Sequence, residues 1–185
     1  MKNLPGRFAL RCWLEVPTGF GVSNAIEAFR QTARFARRGG DSLQMHPVRV
    51  LVVEDNAFVR RSICSLLSGD PTLHVVCETA DGDEAIAKAQ ELLPDVVLLD
   101  IRLHGISGIE AARQIRRVAP ESRIIFLSQF DSIQIAREAM QTGAHGYIVK
   151  SDAGQDLLRG IHTVQQGEAF VSQRLVAKGW VRAAS

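Results

Sequence analysis

Short apolar runs alternate with longer amphipathic stretches five times between residues 47 and 167. The runs are rich in Val, Ile and Leu, which is typical of strands that are buried on both faces of a sheet. The stretches that follow them have apolar residues at helical spacing, and a glycine or proline comes soon after each one. The pattern predicts strands over 48–53, 73–77, 96–99, 124–127 and 147–149, and helices over 56–67, 83–93, 108–118, 132–141 and 156–166.

The strict alternation of strand and helix predicts an α/β fold in which helices cover both faces of a parallel sheet. A doubly wound sheet of five strands, with five helices, is the simplest architecture for this order of elements. Parallel strands end at the same edge of their sheet, so a ligand is expected at their carboxyl ends. The domain that this pattern predicts spans 47–167.

The flanking segments lack this alternation. Residues 1–46 contain seven basic and three acidic residues and are predicted to be a weakly ordered basic extension, with a candidate helix over 23–38. Met45 directly precedes the domain and is an alternative start of translation. Residues 168–185 are expected to form a linker-like tail with one short helix, over 168–178. Three helices of a helix-turn-helix module do not fit there, so we expect no specific DNA binding by this chain alone.

The composition is that of an ordinary globular protein. Of the 185 residues, 46% are hydrophobic and 23% are charged, which excludes wholesale disorder. The formal net charge of +2 argues against a dedicated nucleic-acid-binding protein. The three cysteines have neither the spacing of a zinc site nor the even number of a disulfide framework. Because no apolar run approaches the length of a membrane span, we expect a cytoplasmic protein without a membrane segment.

Polar residues follow four of the predicted strands, and a single shared site would account for all of them. Strand one is followed by Glu54 and Asp55, strand three by Asp100, strand four by Ser128 and strand five by Lys150. Strands one and three flank the point at which the strand order of a doubly wound sheet reverses. We therefore expect these carboxylates, the hydroxyl and the ammonium group to meet in one crevice.

The charges of these groups favour a divalent cation and a phosphoryl group as ligands. Glu54, Asp55 and Asp100 bring three negative charges, which repel one another unless cations compensate. Oxygen ligands select Mg²⁺ or Mn²⁺ over zinc, and Mg²⁺ commonly shares its site with a phosphate. One carboxylate is then placed to attack phosphorus, while Lys150 and Ser128 stabilise the phosphoryl oxygens.

Four segments in combination resemble the receiver domain of two-component response regulators. They are 50–56 (VLVVEDN), 94–100 (PDVVLLD), 127–128 (LS) and 143–150 (GAHGYIVK). The similarity covers roughly residues 47–167, and the GAHGY sequence resembles the NarL/LuxR-type subfamily. The resemblance implies a CheY-like, flavodoxin-like sheet with the strand order 2-1-3-4-5.

The same resemblance implies a role for each site residue, with Asp100 as the residue that is phosphorylated. The implied ligands of Mg²⁺, or Mn²⁺, are Glu54, Asp55, Asp100 and the backbone carbonyl of Arg102. The implied catalytic residues are Asp100, Ser128 and Lys150. The implied switch residues are Ser128 and Tyr147, whose movement remodels the face of helix four, strand five and helix five. Arg102 and Phe130 match positions beside the path of the hydrolytic water, which implies slow loss of the phosphoryl group; the alternative is that His104 orients this water.

The family also implies the partners. A histidine kinase or a phosphotransfer protein would supply the phosphoryl group, and a downstream protein would recognise the switched face. The domain would catalyse only its own phosphorylation and dephosphorylation, so it is not expected to be a turnover enzyme. Homodimerisation, the cognate kinase and the signal stay open at this point.

Three features depart from the common pattern of the family. His104 stands four residues after Asp100, where proline is common, and we expect it to be an exposed loop residue. Ser151 follows Lys150, where proline is also frequent, although serine occurs in the NarL-like branch. The chain ends where a C-terminal helix-turn-helix domain would begin, so a truncated NarL-type transcription factor is an alternative.

Two further classes of protein share this fold. A pseudo-receiver that is never phosphorylated would act only as an interaction module, and the complete set of site residues argues against it. A turnover enzyme, such as a phosphatase or a flavin protein, is disfavoured because no phosphate-binding Gly-rich loop follows strand one, where residues 54–57 read EDNA.

Overall fold

A computed structural model describes residues 46–181, and in this range six strands form one parallel sheet. The strands are β1 (Val48–Val53), β2 (Leu73–Thr79), β3 (Val96–Asp100), β4 (Arg123–Ser128), β5 (Gly146–Val149) and β6 (Phe170–Val171). The α-helices are α1 (Ala57–Ser68), α2 (Gly82–Leu92), α3 (Gly108–Val118), α4 (Ile133–Gln141), α5 (Ala153–Gln165) and α6 (Gln173–Ala177). A short 3-10 turn, Lys150–Asp152, joins β5 to α5.

The order of the strands is β2-β1-β3-β4-β5-β6, and every neighbouring pair is parallel. This order confirms the predicted α/β fold and the order 2-1-3-4-5, but the predicted number of five strands is wrong. The sixth strand adds to the edge at β5, where Phe170 lies opposite Gly146. A strand of two residues has no apolar run that a sequence pattern could reveal.

The helices begin where polar side chains satisfy the free amide groups of the first turn. Asn56 accepts hydrogen bonds from the amides of Phe58 and Val59, and Asp81 accepts one from the amide of Glu84. Ser107 does the same at the start of α3. Helix α5 begins at residue 153 rather than at 156, because the 3-10 turn leads directly into it.

The core lies on both faces of the sheet. Alternate residues of β1 and β3 belong to two different buried clusters, one with Leu51 and Leu99 and the other with Val52 and Leu98. Each of these four side chains has no exposed surface. The continuous apolar runs in the sequence therefore follow from burial on both sides.

Helix α3 starts directly against the end of β3. The amide of Gly108 donates a hydrogen bond of 2.9 Å to the carbonyl of Ile101. A Cβ atom at position 108 would lie only 1.8 Å from the carbonyl oxygen of Asp100. Glycine is required here because the backbones approach too closely for any side chain. The close approach holds the strand end that carries Asp100.

The candidate helix over 23–38 and the alternative start at Met45 lie outside the described residues. Between residues 46 and 181, no helix has the length and apolar character that crossing a membrane requires.

Candidate functional site

Three carboxylates meet at the carboxyl ends of β1 and β3. Glu54 and Asp55 directly follow β1, and Asp100 is the last residue of β3. The two strands are paired with Val53 opposite Leu99, so they end at the same level of the sheet. One oxygen of each carboxylate lies within 4.8 Å of an oxygen of the other two. The crevice predicted from the strand ends is therefore present for these residues.

The carboxylates differ in their exposure to water. The Glu54 side chain has no exposed surface, Asp100 is buried, and the Asp55 side chain is 22% exposed. Burial raises the pKa of Glu54, and the nearby charge of Asp100 acts in the same direction. The ammonium group of Lys150 opposes this shift by favouring the charged carboxylate.

Lys150 reaches this cluster from the end of β5. Its Nζ atom lies 2.6 Å from Oδ2 of Asp100, as a hydrogen bond, and 2.6 Å from Oε2 of Glu54. The contact with Glu54 is an ion pair to a side chain that has no exposed surface. With the three carboxylates ionised, a single ammonium group leaves two negative charges uncompensated.

The donor set fits a hard divalent cation. Each of the three side chains offers a carboxylate oxygen within 4.8 Å of the other two, and Lys150 balances one of their three negative charges. Mg²⁺ and Mn²⁺ prefer such ligands, and a charge of +2 would neutralise what Lys150 leaves. The amide of Arg102 donates to Oδ1 of Asp100 over 3.1 Å, which places the backbone of residue 102 beside the same carboxylate.

Ser128 and Tyr147 lie on the two neighbouring strands β4 and β5. The Ser128 hydroxyl is buried at the end of β4 and accepts a hydrogen bond of 3.1 Å from the amide of Phe130. Tyr147 has no exposed surface, and its hydroxyl donates to the carbonyl oxygen of Phe130 over 2.8 Å. Burial raises the pKa of the Tyr147 hydroxyl. The tyrosine and the serine are thus both bonded to the backbone of one loop.

The side chain of Arg102 extends over the same loop. Its guanidinium lies 5.8 Å from the centre of the Phe130 ring, a cation–π contact. The carboxamide of Gln129, with its oxygen facing this group, accepts from Nε over 3.1 Å. Phe130 therefore contributes both to the pairing with Arg102 and to the hydrogen bond with Tyr147.

His104 is exposed, as expected, but it is not without a partner. Its side chain is 90% exposed, and Nδ1 lies 2.9 Å from Oδ2 of Asp55. This contact was not predicted, because 49 positions separate the two residues in the chain. The departure from the family pattern at this position was the only available signal.

The C-terminal residues pack against β5 through a buried serine. The amide of Ser172 donates to the carbonyl of Tyr147 over 3.0 Å, and the Ser172 hydroxyl accepts from the amide of Val149 over 3.0 Å. The hydroxyl in turn donates to Oδ2 of Asp156 over 2.7 Å. Ser172 and Asp156 are both buried. Neither residue was singled out from the sequence, because a serine in a tail carries no pattern.

Helix α6 covers part of the face of α4, β5 and α5, which the family resemblance assigns to a downstream partner. Leu175 has no exposed surface and belongs to the same buried cluster as Tyr147. Arg174 makes two hydrogen bonds, of 3.0 and 2.8 Å, to the carboxylate of Asp152 at the start of α5. Lys178 lies 2.6 Å from the carboxylate of Asp131, in the loop after β4. Residues of this chain therefore already occupy one edge of that face.

Comparison with known proteins identifies the relatives of this fold. Residues 50–162 match the response regulator receiver domain family. The chain is 34% identical over 131 residues to the response regulator protein VraR of Staphylococcus aureus, which covers 71% of this chain and 63% of VraR. The chain thus spans less than two thirds of the length of this relative.

Two solved structures are similar along most of their own length. A LuxR-family response regulator from Aurantimonas sp. SI85-9A1 is 32% identical, with a TM-score of 0.67 over 71% of this chain and 97% of that one. The receiver domain of the response regulator NarL from Mycobacterium tuberculosis is 30% identical, with a TM-score of 0.63 over 66% of this chain and 99% of that one.

Proposed function

Because this chain belongs to the response regulator receiver domain family of two-component systems, we propose that it is phosphorylated on Asp100 with the help of Mg²⁺ or Mn²⁺. The observation that carries this proposal is the cluster of Glu54, Asp55 and Asp100, with the ammonium of Lys150 2.6 Å from two of them. A pure interaction module has no need of three neighbouring carboxylates, which destabilise one another.

The reaction transfers a phosphoryl group to a carboxylate oxygen of Asp100. The P–N bond of a phosphohistidine on the donor breaks, an O–P bond to Asp100 forms, and the electron pair stays with the departing imidazole. A divalent cation bound to the carboxylates supplies charge compensation for the phosphoryl oxygens. Lys150 supplies a further positive charge, and the Ser128 hydroxyl donates a hydrogen bond to one of these oxygens.

Phosphorylation would act on the rest of the domain through the loop after β4. The Ser128 hydroxyl accepts a hydrogen bond of 3.1 Å from the amide of Phe130, so a movement of this hydroxyl toward the phosphoryl group would also displace the loop that carries Phe130. The carbonyl of the same Phe130 holds the buried hydroxyl of Tyr147. We propose that this loop couples the covalent charge at Asp100 to the position of Tyr147 and so to the adjoining face.

The proposed partners follow from this reaction. A histidine kinase or a phosphotransfer protein supplies the phosphoryl group, and a downstream protein binds the face of α4, β5 and α5 together with the α6 residues that lie on it. The domain catalyses its own phosphorylation and dephosphorylation and turns over no other substrate. We place this exchange in the cytoplasm, where such kinases present their phosphohistidine.

The proposal is tested with acetyl phosphate as the donor. The parent protein is incubated with acetyl phosphate and Mg²⁺ and is followed by intact mass and by mobility on Phos-tag gels. We expect one Mg²⁺-dependent phosphoryl adduct, which Asp100→Asn abolishes because an amide is a far poorer nucleophile. Asp83→Asn, at an exposed aspartate in the first turn of α2, is the matched control and should label normally. Labelling of Asp100→Asn at the parent's rate contradicts the assignment, and no adduct on the parent favours the pseudo-receiver.

A further inference from the structure

His104 is held beside the carboxylate cluster by the loop that carries it. The loop, residues 101–107, is anchored on both sides of the histidine, because Leu103 and Ile106 pack against the buried core. The backbone of His104 also pairs with that of Asp81, which caps α2. The backbone of His104 is therefore held beside the site, and the exposed imidazole extends from it to Asp55.

The contact between His104 and Asp55 has a defined polarity. An ionised carboxylate can only accept hydrogen bonds, so Nδ1 must carry the proton that it shares over 2.9 Å with Oδ2 of Asp55. The imidazole does not join the carboxylates as a metal ligand. Within residues 46–181, the group of side chains close enough to share one ion consists of Glu54, Asp55 and Asp100.

We propose that His104 is a positioning residue for the cation site, acting through Asp55. By donating to one oxygen of Asp55, the histidine restricts rotation of the one carboxylate in the cluster that water reaches appreciably. Glu54 and Asp100 are held by burial and by their contacts with Lys150, whereas the more exposed Asp55 is contacted by His104. The proposal rests on the function proposed above, since it assumes that the cluster binds a divalent cation.

Two effects of the histidine oppose each other, and their balance is measurable. Orientation of Asp55 lowers the entropy that the carboxylate must lose when a cation binds, which strengthens binding. Donation of an N–H group withdraws electron density from the carboxylate, which weakens binding. Hydrogen bonds that orient metal ligands commonly change metal affinity by about 10- to 100-fold when they are removed. We expect orientation to prevail, at the lower end of this range because the histidine is exposed.

The experiment measures cation binding directly, without any phosphoryl donor. The metal-free protein is titrated with Mg²⁺, and separately with Mn²⁺, by calorimetry. We expect His104→Ala to raise the dissociation constant about tenfold for both ions. His104→Asn restores an N–H donor near the position of Nδ1 and should bind within about twofold of the parent. His74→Ala is the matched control, because His74 is an exposed histidine near the opposite end of the sheet.

The outcomes separate this inference from the proposed function. If the parent binds Mg²⁺ and His104→Ala binds it equally or more tightly, the positioning role is refuted while the proposed function stands. If His104→Asn is as weak as His104→Ala, the N–H donor is not the cause and the inference is also refuted. Absence of saturable binding by the parent overturns both. Melting curves in EDTA should coincide for all variants, which separates a positioning role from a general loss of structure.

Discussion

Because α3 starts directly against the end of β3, we expect Gly108→Ala, which adds a single methyl group, to lower the stability of the domain strongly. Gly108→Ala places a Cβ atom 1.8 Å from the carbonyl oxygen of Asp100, whereas real Cβ contacts are essentially never shorter than 3.0 Å. Both partners are backbone, so no side chain can rotate away to make room. Either the start of α3 or the end of β3 has to move by more than an ångström.

The magnitude follows from the two effects of the substitution. Forcing extra atoms into a packed site costs about 1–3 kcal/mol, and a rigid backbone neighbour places this case at the upper end. Alanine offsets up to about 1 kcal/mol of this cost, because it loses less entropy than glycine in a helix. We therefore expect a net loss of about 2 kcal/mol in the free energy of unfolding. Phosphoryl uptake should fall as well, since the strand end that moves carries Asp100.

Gly154→Ala is the matched control for this prediction. Gly154 also lies in the first turn of a helix, α5, and a Cβ atom there would have no neighbour within 4 Å. This substitution should raise the free energy of unfolding by about 0.5–1 kcal/mol. Urea unfolding followed by circular dichroism measures both variants, and acetyl phosphate labelling measures the site. A Gly108→Ala protein as stable as the parent, with normal labelling, would refute the reasoning.

Three further predictions concern the cation, the C-terminal helix and the lifetime of the phosphoryl group. Asp55→Ala should remove the stabilisation of the protein by Mg²⁺, which is measured by thermal melting with and without the ion. In the parent protein this stabilisation should be about 2.7 kcal/mol when the Mg²⁺ concentration is one hundred times the dissociation constant. Leu175→Ala should lower the free energy of unfolding by about 2 kcal/mol, at the lower end for a buried leucine because the short helix α6 can relax. Val176→Ala is the control and should change it little, because Val176 is 43% exposed. Arg102→Ala and Phe130→Ala should each accelerate phosphate loss in a chase with Mg²⁺, because each removes one partner of the Arg102–Phe130 contact that we expect to exclude water from Asp100. Unchanged rates in both variants would contradict this.

The fold was largely predictable from the sequence because its strands are buried on both faces. Such strands appear as unbroken apolar runs, so β1 was located over its full length, 48–53, and α3 over 108–118. The prediction was wrong about the sixth strand and placed the start of α5 three residues late. Both errors occur where two or three residues decide the structure, which is too short for a periodic pattern.

The candidate site was predictable for a related reason. Each of its residues lies at or just after the carboxyl end of a strand, and parallel strands bring these ends to one edge of the sheet whatever the details of packing. The positions of Glu54, Asp55, Asp100 and Lys150 in the chain were therefore enough to expect that they meet. The same rule could not say that Lys150 approaches Glu54 as closely as Asp100, since that depends on the rotamer of a long side chain.

The tertiary structure alone decided the contacts between segments that are far apart in the chain and have no regular spacing. His104 reaches Asp55 because the loop after β3 is anchored on the core, and Ser172 reaches Asp156 because a two-residue strand joins β5. A hydrogen bond of this kind depends on positions within a few tenths of an ångström. Patterns of apolar and polar residues specify which face of a helix or strand is buried. The exact atomic positions that these hydrogen bonds require are determined by the packing of the whole domain.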